Sequence, residues 1–200
     1  HMRSFNPEFL FPSHTKPLSG DQVMDALTIY RDAIQFVHDQ TIRLMNEGYY
    51  PDQIVEMIDL PKEIKESPFL YEFYGTVRWS VKSIFSGYLG WFNGNPSDLD
   101  PLSRVEEAIR FSNMVGGNEN MFAALQQAIQ AQDMQWALEL SDRLIALEYS
   151  LDEVNSLRQD ALRYIGERSS NPNKRNYFLT SAIELDKNFK GFPLAERTVE

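Results

Sequence analysis

Apolar residues recur at three- and four-residue steps along most of this chain, most densely in Tyr71–Pro96. That stretch holds the aromatic residues Tyr71, Phe73, Tyr74, Trp79, Phe85, Tyr88, Trp91 and Phe92. Val77, Val81, Ile84, Tyr88 and Trp91 share one face of a helix predicted over 76–92, and Trp79, Phe85, Leu89 and Phe92 load its flank. A helix apolar over most of its circumference has to be covered by several neighbours. Gly87 and Gly90 fall inside the predicted helix. Each costs about 1 kcal/mol relative to Ala, a cost expected where another backbone comes close. Asn93-Gly94-Asn95-Pro96 is the expected stop.

Upstream, Phe5–Leu18 is irregular and carries Pro7, Pro12 and Pro17, with Phe9-Leu10-Phe11 a candidate short strand. Ser19-Gly20-Asp21 marks a helix start, with Ser19 or Asp21 as the expected cap. The helix predicted over 22–47 has a stripe of Val23, Ala26, Leu27, Tyr30, Ile34, Val37, Thr41, Leu44 and Met45. Gly48 ends it. Pro51-Asp52 begins a short helix that Leu60-Pro61 closes. A proline-bounded joint over 95–102 precedes helices predicted at 103–115, 118–131, 134–148, 151–167 and 173–185. Ser103 and Glu106 have the spacing of a capping box, and Gly116-Gly117 is a break. The fold class is all-α: a multi-helical array with tetratricopeptide-like helical hairpins in the C-terminal half, without a clean 34-residue repeat. The organisation reads as a cloning remnant at 1–2, an N-terminal segment at 3–18, regions at 19–96 and 97–188, and a fraying tail at 189–200.

Composition narrows the partners. The chain has 200 residues, 42% of them apolar, a net charge of -10 and no cysteine. Acidity disfavours nucleic acid and anionic membrane, which require clustered Lys and Arg. No apolar run is long enough to span a membrane, and disulfides are impossible. The compartment is not fixed by these features.

Three histidines are present. His1 belongs to the cloning remnant. His38 sits within the long helix and is expected to bond a neighbour such as Asp39. His14 lies in a loop with no other histidine nearby in sequence. Phosphate-loop, GxSxG and HExxH patterns are absent. Acidic residues such as Glu106, Glu107, Asp152 and Glu153 are expected on solvated helix faces. No catalytic residue and no cofactor is expected in this chain on its own.

The block YGTVRWSVKSIFSGYLGWFNGNP, together with FPSHTKPLSG, YRDAIQFVHDQTIRLMNEGYYPDQIVEMIDLP and the late MQWALELSDRLIALE and KRNYFLTSAIEL, resembles the dimerisation domain of alkylsulfatases. There it follows a metallo-β-lactamase-like catalytic domain. The resemblance implies a homodimer, with Tyr30, Ile34, Val77, Val81, Ile84, Tyr88 and Trp91 at the interface. It makes residues 3–18 the end of the catalytic domain and His14 a ligand to one of two zinc ions in the full-length protein. It also implies hydrolysis of sulfate esters by a zinc-activated water, with Tyr74 and Tyr88 as substrate contacts. The family's HxHxDH motif is absent, so this chain is expected to be a scaffold without catalysis of its own. It departs from the family at Trp79, where relatives often carry His in a YG-x-V-x-H-N pattern. Trp cannot transfer a proton at neutral pH, so that position implies another acid or another substrate. Two further readings are a helical-repeat adaptor that binds a peptide near Asn113, Asn118, Asn120, Arg175 and Asn176, and a self-sufficient hydrolase.

Overall fold

The structure, a computed structural model, describes residues 1–191; most of the tail expected to fray, from residue 192 on, lies outside them. Among the described residues there are nine α-helices and one two-stranded sheet, so the fold is all-α as expected. The chain divides into two compact units, His1–Asp100 and Pro101 onward.

In the first unit, β1 (Phe9–Leu10) pairs antiparallel with β2 (Leu18–Ser19). This folds the proline-rich segment back onto the start of α1 (Asp21–Asn46). Neither expected residue caps α1. Ser19 belongs to β2, Asp21 is already helical, and Gly20 occupies the cap at φ 60° without a side-chain bond. A positive φ suits glycine, which has no Cβ to clash. After α2 (Pro51–Met57) comes a one-turn helix that periodicity did not predict, α3 (Lys62–Lys65). The aromatic helix α4 covers Val77–Leu89. Val37 and Leu44 of α1, Ile54 and Val55 of α2, and Val81 and Phe85 of α4 form the core.

α4 differs from expectation in three ways. Its N-terminus is set by the Thr76 hydroxyl, which accepts from the Trp79 N–H at 3.1 Å. It ends at Gly90, φ 82°, so Trp91 and Phe92 lie beyond the helix and the Asn93–Pro96 signal comes too late to be the stop. Gly90 is therefore a cap rather than an interior cost. At Gly87 an added Cβ would meet nothing within 4 Å, so no other element among the described residues brings its backbone close there. Nor is α4 covered all round: of its residues only Val81 and Phe85 are buried. α1 and α2 cover one side, and Trp79, Tyr88 and Leu89 remain exposed on others.

The second unit comprises α5 (Arg104–Val115), α6 (Asn118–Gln130), α7 (Met134–Ala146), α8 (Leu151–Arg168) and α9 (Pro172–Glu184). Each helix packs on the next, and α5 also touches α7, as α6 touches α8. The Ser103–Glu106 capping box forms in both directions. Gly116 (φ 89°) closes α5 and Gly117 (φ 117°) opens α6. Asn171 caps α9 by accepting from the Lys174 N–H at 3.0 Å. Met121, Leu125, Leu140, Leu144, Val154 and Leu162 anchor the core. The close backbone approach is at Gly166, where a Cβ would sit 2.8 Å from Leu179 and 3.3 Å from the Arg175 carbonyl oxygen. Glu107, expected to be solvated, pairs with Arg143 at 3.2 Å, and that guanidinium lies over the Phe111 ring.

Candidate functional site

α1 and α4 lie side by side in the first unit. With the segments around Pro12–Thr15 and Leu70–Thr76 they frame a groove of about 700 Å³. Tyr30, Ile34 and Val37 of α1, Ile64 of α3, and Val77 and Ile84 of α4 make it largely apolar. His14, His38, Glu72 and Ser80 bring polar groups to it. Such a site, apolar with a few converging polar groups, is the usual form of a binding surface.

His14 is held by the β1–β2 connection and packs its ring against Tyr74, centroids 4.6 Å apart. His38 lies one turn from Ile34 and two turns from Tyr30, so helical geometry points all three the same way. Its Nδ1 is 3.0 Å from Asp39 Oδ1, the neighbour expected from sequence, and its Nε2 is 3.0 Å from the Tyr88 hydroxyl. The bond from His38 is the main cause holding the Asp39 carboxyl below the usual carboxylate range. The fold thus supplies what the sequence reading lacked: a second histidine lines the groove that His14 lines. The stripe read from sequence held Tyr30 and Ile34 but not His38, although four-residue steps from them reach it. The fifty-residue separation of His38 and Tyr88 could not be read from it.

The two tyrosines singled out as substrate contacts occupy different places. Tyr74 lines the groove, whereas Tyr88 stands outside it and reaches His38 with its hydroxyl. Trp79 does not line the groove either. Of the expected interface residues, Tyr30, Ile34, Tyr88 and Trp91 are exposed, with Ile34 at 67%, Tyr88 at 62% and Trp91 at 76%. Val77 and Ile84 are half-buried in the groove wall. Val81, at 0% exposure, belongs wholly to this unit's own core and offers no surface to a partner. Leu89, the last residue of α4, is exposed as well.

Metal chemistry finds little here. Among the described residues no group of three or more His, Asp or Glu side chains is gathered closely enough to hold a metal ion. Zinc requires such a converging set, and His14 is not part of one among the described residues. In the second unit, Asn118 accepts from the Ser112 hydroxyl at 2.5 Å, and Asn120 donates to the Val115 and Gly116 carbonyl oxygens. Two of the five residues expected to bind a peptide thus secure the α5–α6 turn instead. No helix among the described residues is long and apolar enough to cross a membrane.

Comparison with known proteins gives consistent results. Residues 50–188 match the protein family described as alkyl sulfatase dimerisation. A linear primary-alkylsulfatase of Pseudomonas sp. is 40% identical over 192 residues, 95% of this chain and 36% of that protein. An alkyl/aryl-sulfatase of Saccharomyces cerevisiae is 30% identical over 179 residues, 89% of this chain and 28% of that protein. The solved structure of a stereoselective inverting sec-alkylsulfatase from Pseudomonas sp. aligns with a TM-score of 0.84 at 29% identity, covering 95% of this chain and 30% of that one. The chain therefore spans about a third of the length of the curated relatives it matches.

Proposed function

This chain belongs to the alkyl sulfatase dimerisation family, and from that premise we propose that it joins two copies of a larger protein through the apolar face of its first unit. The observation that carries the reading is the exposure of Ile34, Tyr88, Leu89 and Trp91, large apolar side chains beside a core that α1, α2 and α4 have already closed. Contiguous exposed apolar surface on a folded unit marks an interaction site. Aromatic side chains with few charges are the composition of an interface core. A two-fold pairing would place the same patch on both copies. Ile34→Lys and Trp91→Ala test this: sedimentation velocity should show each variant shifted toward monomer, with helical content unchanged. Variants that remain as associated as the unchanged chain would overturn the assignment of this face.

The same reading makes the larger protein a zinc-dependent sulfuric ester hydrolase of the alkylsulfatase kind, with its catalytic domain preceding this chain. His14 would supply one donor to a metal site whose other donors lie outside this chain. Tyr74, packed against His14 in the groove, is the better placed of the two tyrosines to contact substrate. The peptide-adaptor reading is set aside, since the side chains of Asn118 and Asn120 are committed to a turn.

A further inference from the structure

We propose that Asp39, His38 and Tyr88 form a relay that makes the Tyr88 hydroxyl a hydrogen-bond acceptor for a second copy of this chain, and that protonating His38 cancels it. The proposal rests on the self-association reading above and adds to it the kind of group the partner must present and the condition that releases it.

The direction of each bond follows from chemistry. His38 Nδ1 lies 3.0 Å from Asp39 Oδ1, and Nε2 lies 3.0 Å from the Tyr88 hydroxyl oxygen. An ionised carboxylate only accepts hydrogen bonds, so the Asp39 bond places a proton on Nδ1. In the neutral ring Nε2 is then bare and only accepts. The proton between His38 and Tyr88 is therefore the phenol's own. With that hydrogen turned inward, the Tyr88 oxygen shows lone pairs outward. Tyr88 is 62% exposed, so a copy covering this face meets its side chain. A second copy seated there has to offer a donor.

Protonation reverses this. Both ring nitrogens then donate, the Tyr88 oxygen accepts from Nε2, and its hydrogen turns outward toward the partner's donor. Covering the face also withdraws a charged ring from water, which is unfavourable. Both effects disfavour association of the protonated form. Imidazole is the side chain whose ordinary titration falls in the physiological range. Because the associated state favours neutral His38, association weakens as the ring takes up a proton.

Other charged groups surround α1. His14, Glu72 and the phenols of Tyr30, Tyr71 and Tyr74 share the groove. On α4, Arg78 pairs with Glu56 and Lys82 with Asp52, both partners from α2. α3 brings Lys62, Glu63 and Lys65, followed by Glu66, and the N-terminal turn brings Arg3. His14 is the other imidazole of the groove and provides the control.

Sedimentation equilibrium of the whole chain between about pH 8 and about pH 5.5 tests the relay. The dissociation constant should rise at least about tenfold at the acid end, the scale of one unsatisfied hydrogen bond. His38→Gln and Tyr88→Phe should each reduce the change to within about twofold, whereas His14→Asn should keep it. In the unchanged chain, imidazole nitrogen shifts by NMR should report the Nδ1–H tautomer of His38 near neutral pH. A dimer whose affinity does not vary with pH, a Tyr88→Phe chain that keeps the dependence, or an Nε2–H tautomer overturns the relay alone. A chain that is monomeric at every pH overturns the self-association reading and the relay with it.

Discussion

At the scale of single residues, Val81 and Ile34 separate folding from association. Both are apolar and both lie on the stripes read from sequence, yet Val81 is fully buried and Ile34 is 67% exposed. Val81→Ala should lower stability by roughly 2 kcal/mol through lost burial and a residual cavity. Thermal denaturation would register this as a reduced Tm, while the dimer of whatever remains folded should keep its affinity. Ile34→Lys should do the reverse. The stripe alone could not tell these residues apart. Period says which positions share a face, whereas burial depends on what the fold brings opposite. The same limit applies to His38, whose local partner Asp39 was legible at one residue's separation while Tyr88, on another helix, was not.

At the scale of elements, the sequence located the long helices well because each has a sustained stripe and punctuation. Gly48 and Pro51 bracket the first turn, and the Ser103–Glu106 box starts α5 as expected. The boundaries of α4 were misplaced because its apolar run continues through Trp91 and Phe92, so the hydrophobic pattern outlasted the helix. Gly90 ended it through a left-handed φ that periodicity does not register. α3 was missed because four residues are too few for a period. Glycine roles were also exchanged. The close approach expected in α4 occurs at Gly166, where α8 meets α9. Gly166→Ala should destabilise the second unit by about 1–3 kcal/mol, since overpacking against Leu179 and the Arg175 carbonyl exceeds the helix-propensity gain. A Tm equal to or above that of the unchanged chain would contradict this packing account.

At the scale of the whole molecule, two units each close a core of their own, and the first leaves Ile34, Tyr88, Leu89 and Trp91 exposed. Each copy carries a net charge of -10, so pairing brings like charges together. Added salt screens that repulsion, with a Debye length near 10 Å at 0.1 M and near 3 Å at 1 M. Self-association should therefore tighten as salt rises, and it should weaken in acid only where His38 is present. The most direct test is the mass of the unmodified chain in solution by light scattering, at tens of micromolar and near pH 8. A mass of twice 23.2 kDa is expected; a solution that remains at 23.2 kDa contradicts the account.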